Sequence, residues 1–170
     1  WYQGGGIYRN VWLDVREKVH FDRGTLHVLP TVDYENKKAS VKVAFDVENH
    51  TEESSECKVI VHTYSPDDVL VNESVCEVKI PQMDKASGEV NFELENIKLW
   101  SCEHPELYRV VLSIDNGTKE GSDRIECNTG FRHIAFDKDK GFFLNGVNTK
   151  LKGVCVHQGH ACVGSAEYDG

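Results

Sequence analysis

Val41, Val43, Phe45 and Val47 fall on one side of an extended chain, and Lys42, Asp46 and Glu48 fall on the other. A period of two cannot be satisfied by a helix, whose faces repeat every 3.6 residues. It marks an antiparallel strand with one face in a core and one in water. The same signal returns along the chain. Leu26, Val28, Pro30, Val32 and Tyr34 alternate ahead of a turn at Glu35-Asn36-Lys37-Lys38, and Cys57 to Tyr64 closes at Ser65-Pro66-Asp67-Asp68. Cys76, Val78 and Ile80 end at Pro81, and Val90, Phe92 and Leu94 are opposed by Glu89, Asn91 and Glu93. Tyr108, Val110, Leu112 and Ile114 close at Asp115-Asn116-Gly117, and Arg124 to Ala135 supplies the last strand. Val15 to Arg23 reads as a polar connector. About seven short strands with turn residues between them, and no helical period, predict an all-β fold, an immunoglobulin-like β-sandwich.

The pattern changes after residue 136. Asn145-Gly146 stands between Phe142-Phe143-Leu144 and the alternating Val147 to Leu151. Asn-Gly accepts the positive φ values of a two-residue type I′ turn, so this is a tight hairpin. Lys152-Gly153-Val154-Cys155-Val156 follows as a short apolar run ending in His157. A buried strand that delivers a histidine at its C-terminal end is how a (β/α)₈ barrel presents a functional group. The expected organisation is therefore 1–23 as the end strand of a preceding domain with its linker, 24–136 as the sandwich, and 137–170 as the hairpin and first strand of a truncated barrel. Trp1-Tyr2-Gln3 followed by three glycines is a poor natural start, which favours a piece of a longer protein.

Charge narrows the partners. A net charge of −9 over 170 residues argues against nucleic-acid phosphates and anionic membranes. No apolar run approaches the length of a membrane span. Six cysteines can bridge in an exported protein, but Cys57 and Cys127 lie in apolar strand patterns, where a free thiol packs as a small hydrophobe. The triplets Asn49-His50-Thr51, Asn72-Glu73-Ser74 and Asn116-Gly117-Thr118 are glycosylation sequons only in a eukaryotic secretory pathway. Cys155-x-His157-x-x-His160-x-Cys162 has the residue types of a zinc site without the usual pairing of cysteines two to four residues apart. No metal and no cofactor is expected there.

Four stretches resemble glycoside hydrolase family 2, the β-galactosidases, β-glucuronidases and β-mannosidases. Phe143, Leu144, Asn145 and Gly146, then Lys152, Gly153, Val154 and His157, resemble the family's F-x-L/I-N-G hairpin and R/K-G-V-x-x-H strand. Gly130-Phe131-Arg132 is similar to the G-F-R that precedes the hairpin. Leu99-Trp100-Ser101 with Pro105 and Leu107-Tyr108 is similar to L-W-S-x-x-x-P-x-L-Y. Gly5-Gly6-Ile7-Tyr8-Arg9-Asn10-Val11-Trp12-Leu13 resembles the G-I-Y-R-x-V-W-L that closes the family's sugar-binding domain.

The resemblance implies a segment of a retaining β-glycosidase of the β-galactosidase kind, with a carbohydrate substrate and its own flanking domains as partners. Both catalytic glutamates would lie on later barrel strands, so no catalytic residue and no turnover are expected in this segment. His157 would bind the sugar and His160 would assist, although Gln158 and Gly159 stand where an acid or histidine is common. Trp100 and Arg132 are read as structural. Trp100 would anchor the edge of the core, and Arg132 would be a buried or half-buried arginine that satisfies carbonyls at a domain seam. Asn145 and Gly146 form the hairpin turn. An apolar first barrel strand without neighbours leaves a second copy of the chain as a candidate partner. The competing reading is a self-standing carbohydrate-binding or adhesive sandwich, which would have no use for an apolar strand after its last sheet strand.

Overall fold

In the computed structural model, which describes residues 6–7, 9–115 and 123–155, the period-two segments become strands. They run β1 (Val19–Asp33), β2 (Lys38–Asn49), β3 (Ser55–Tyr64), β4 (Leu70–Ile80), β5 (Asp84–Glu95), β6 (Tyr108–Asp115) and β7 (Arg124–Thr129). β8 (Ile134–Asp137), β9 (Gly141–Leu144) and β10 (Val147–Asn148) follow. The described residues contain no helix. The chain divides into two units, Arg16–Thr149 and a second formed by Trp1–Val15 with Lys150–Gly170.

Within Arg16–Thr149 a three-stranded sheet, β1-β2-β5, packs on a four-stranded one, β4-β3-β6-β7, and every pairing is antiparallel. This is the sandwich that the alternation predicts. Val43 and Val47 from one sheet and Val59, Val61, Val110 and Leu112 from the other are fully buried between them. Each such side chain contributes about 1.5–3 kcal/mol on leaving water. Phe45 meets Phe21 edge to face, with ring centroids 5.7 Å apart, and its cross-strand partner is Gly88. A Cβ at position 88 would lie 2.5 Å from the Phe45 ring, so only glycine leaves the ring its place.

Several strand boundaries depart from the sequence reading: β4 and β5 begin earlier, at Leu70 and Asp84, and two further departures have a visible cause. β1 begins at Val19, inside the stretch read as a connector, because Phe21 is fully buried and the ladder runs back to the bond from His50 N to Lys18 O. A bulge between Asp22 and His27 breaks the alternation and conceals that start. Thr25 holds the bulge, its hydroxyl donating to Asp22 O and accepting from Asp46 N. The second departure is at 124–135, which is not one strand. It breaks after Thr129, because Gly130 passes 3.0 Å from Trp100 as a Cβ would measure it, and Trp100 N donates to Phe131 O. Phe131 then plugs the end of the core, fully buried against Tyr108 with centroids 4.5 Å apart.

Beyond the break, β8, β9 and β10 form a separate small sheet. In the other unit, the described residues among 6–15 and 150–155 are in no strand. Among the described residues, neither the end strand nor the barrel strand expected there pairs in a ladder. Asn49, the first residue of a sequon, is 1% exposed, and its side chain bonds Glu53 O, Pro81 O and the Thr51 backbone and hydroxyl. It is a structural residue of the β2–β3 loop, closed to a glycan.

Candidate functional site

Asn145 and Gly146 have φ values of 50° and 78°, so the turn between β9 and β10 needs residues that tolerate the left-handed region. Asn145 does more than turn the chain. Its Nδ2 donates to Trp100 O at 3.0 Å, and its Oδ1 accepts from His133 N at 2.9 Å. Its backbone N–H donates to His133 O, also at 2.9 Å. One side chain thereby fastens the hairpin to the loop at Trp100 and to the connector between β7 and β8. On the other side of the turn Tyr34 lies against His133, with centroids 4.9 Å apart. It also fits so closely over Gly146 that a Cβ there would meet the ring at 2.7 Å. The hairpin is bolted to the end of the sandwich.

Trp100 is half-buried beside this clamp, and the Arg132 guanidinium lies over its ring at 5.0 Å. Arg132 is exposed, contrary to the expectation of a buried or half-buried arginine at a seam. The reason is local: in extended backbone neighbouring side chains point opposite ways, and Phe131 takes the inward position. Arg132 instead spreads on an aromatic face, a contact that stabilises by about 0.5–1 kcal/mol when exposed. Trp100 and Arg132 border an open groove of about 500 Å³, which Pro30, Leu107, Asn128 and Ile134 also line. His157 and His160, with Cys162 of the cysteine–histidine run, lie outside the described residues.

A second cluster was missed in the sequence. His20 stands directly opposite Glu48 in the β1–β2 ladder, and His50 follows two residues on along the same face. The Nε2 atoms of His20 and His50 lie 3.4 and 2.9 Å from Glu48 Oε2, and the two rings stack with centroids 5.3 Å apart. The signal was the Glu48-x-His50 spacing, but the partner at position 20 depends on a register that the bulge hides. Among the described carboxyl groups whose ionisation is shifted, Asp33, Glu48, Glu89 and Glu95, all four are lowered. A glycosidase acid/base needs the reverse, a carboxyl raised toward neutrality.

A sequence model described as glycosyl hydrolases family 2 matches residues 19–132. The chain belongs to that family. The match coincides with the sandwich and ends at the Trp100–Arg132 groove. A β-galactosidase of Bacteroides ovatus, BoGH2A, is 32% identical over 171 residues, covering 98% of this chain and 19% of the relative. A β-glucuronidase of Formosa agariphila is 30% identical over 156 residues, covering 88% of this chain and 16% of its own length. The crystal structure of Bacteroides uniformis β-glucuronidase superposes with a TM-score of 0.91 at 31% identity, covering 97% of this chain and 20% of that one. The chain thus spans about a fifth of the length of the glycosidases it matches.

Proposed function

We propose that these 170 residues are the immunoglobulin-like part and the barrel-opening hairpin of a retaining β-glycosidase acting on β-galactosides, with the sandwich as a structural rather than catalytic part. The observation that carries this is the Asn145 clamp, which fastens the hairpin to Trp100 and His133 at the end of the sandwich. A barrel positions its reacting groups to within about 0.5 Å only if its first strand starts from a fixed point, and the clamp supplies one. In this reading 1–23 closes a sugar-binding domain, 24–136 is the sandwich and 137–170 opens the barrel. The two catalytic carboxylates come from other parts of the protein. In this reading His157, at the end of the first barrel strand, binds a sugar hydroxyl and His160 assists.

The relatives are both β-galactosidases and β-glucuronidases, so the test compares the two substrates. The protein that contains this chain is assayed on 4-nitrophenyl β-galactoside and β-glucuronide, beside the 170-residue chain alone. The expected result is turnover of the galactoside by the whole protein and none by the chain. His157→Ala in the whole protein should lower turnover by roughly 10- to 1000-fold, about 1.4–4 kcal/mol of transition-state stabilisation. Preference for the glucuronide overturns the substrate, and hydrolysis by the chain alone overturns the structural assignment. An unchanged rate in His157→Ala removes that residue from the site.

A further inference from the structure

The cluster of His20, Glu48 and His50 has no part in the proposed glycosidase function, and its three potential ligand atoms converge on one point of the surface. His20 Nδ1 lies 2.8 Å from Glu17 O. A carbonyl oxygen only accepts, so Nδ1 carries a proton, and whenever the ring is neutral its Nε2 presents a lone pair. That lone pair faces Glu48 Oε2, an acceptor, at 3.4 Å. His50 Nε2 approaches the same oxygen at 2.9 Å. All three donor atoms lie within 4.8 Å of one another.

We propose that His20, Glu48 and His50 form a binding site for one divalent transition-metal ion of the zinc type, with water as the fourth ligand. A tetrahedral zinc ion with ligands about 2.0–2.2 Å away sets neighbouring donor atoms roughly 3.3 Å apart, close to the spacings observed around Glu48 Oε2. The bond from His20 Nδ1–H to Glu17 O is the outer support that metal-bound imidazoles ordinarily have, fixing the tautomer and the aim of Nε2. His50 is the more exposed ring, and shifting its proton from Nε2 to Nδ1 frees Nε2 for the ion with no net proton change. Two imidazoles and one carboxylate suit zinc, nickel or copper and are a poor set for calcium or magnesium, which take oxygen. The ion would join the start of β1 to the residue that follows β2, where the ladder ends at the bond from His50 N to Lys18 O. It would act as a clip on the first strand of the sandwich.

The whole 170-residue chain is titrated with zinc chloride, cobalt chloride and calcium chloride, by calorimetry and by melting temperature. One zinc ion per chain is expected, with no response to calcium. A hundredfold excess of free zinc over its dissociation constant should raise the melting temperature by roughly 5–10 °C. Cobalt should give visible ligand-field bands without the near-ultraviolet charge-transfer band of a thiolate ligand. That absence separates this site from the Cys155–Cys162 run. His50→Ala and Glu48→Gln should each weaken zinc binding at least tenfold, and His50→Ala should melt close to the unaltered chain in metal-free buffer. His50 is 56% exposed and offers little packing to lose. Absence of zinc binding, unaltered affinity in both variants, a thiolate band on the bound cobalt, or calcium binding with equal stabilisation would each overturn the assignment.

Discussion

Asn145→Ala tests how the hairpin is held. The substitution removes two bonds between side chain and backbone, Nδ2 to Trp100 O and His133 N to Oδ1. At about 0.5–1.5 kcal/mol each, they account for about 1–3 kcal/mol. Alanine must also adopt φ near 50° without the local bonding that lets asparagine do so, which costs about 1 kcal/mol more. The expected loss is about 2–4 kcal/mol. Asn145→Gly separates the two contributions, since glycine restores backbone freedom but neither bond. It should recover about 1 kcal/mol of the alanine loss. Urea unfolding followed by tryptophan fluorescence reads the global effect. Amide exchange at His133 and Asn145 reads a hairpin that opens without unfolding the sandwich. If Asn145→Ala lies within about 0.5 kcal/mol of the unaltered chain and neither amide exchanges faster, the clamp carries no energy and the argument fails.

Gly88→Ala places a Cβ about 2.5 Å from the Phe45 ring, and should destabilise by about 1–3 kcal/mol through overpacking, read as a lowered urea midpoint at unchanged slope. Burial and the nearby Cys76 push the Cys57 thiol up to about 11 from its usual 9.0, so at pH 8 the native protein holds about a hundredfold less thiolate there than an ordinary cysteine. Mass mapping after brief treatment with a disulfide reagent should find the exposed Cys102 labelled and Cys57 intact until unfolding; equal labelling of both in the native state refutes the burial argument. The His50 hydrogen bond holds the Glu48 carboxyl below its usual 4.5, so its contribution to stability is present above that value and lost as pH falls through the lower folded value. In chelator, Glu48→Gln should therefore flatten the fall in stability below about pH 4.5, and an unchanged slope would show that the bond is not formed in solution.

The all-β class, most strand positions and both residues of the β9–β10 turn are legible in the amino acids alone. These are local properties: a side chain's polarity relative to its neighbours two places away, and the tolerance of Asn145 and Gly146 for positive φ. The motifs around Trp100, Phe131 and Asn145 likewise announce the family without any coordinates. What they leave open is set by contacts between residues far apart in the chain. The early start of β1 follows from the burial of Phe21 beneath the second sheet, which no reading of a bulged, charged segment reveals. The break after Thr129 follows from the Trp100 ring meeting the backbone at Gly130, 30 residues away in sequence. Arg132 faces outward because Phe131 claims the interior. The convergence of His20 with Glu48 and His50 depends on cross-strand register. Register is a choice among pairings that a strand's own sequence does not make, because the burial of both sheets selects it.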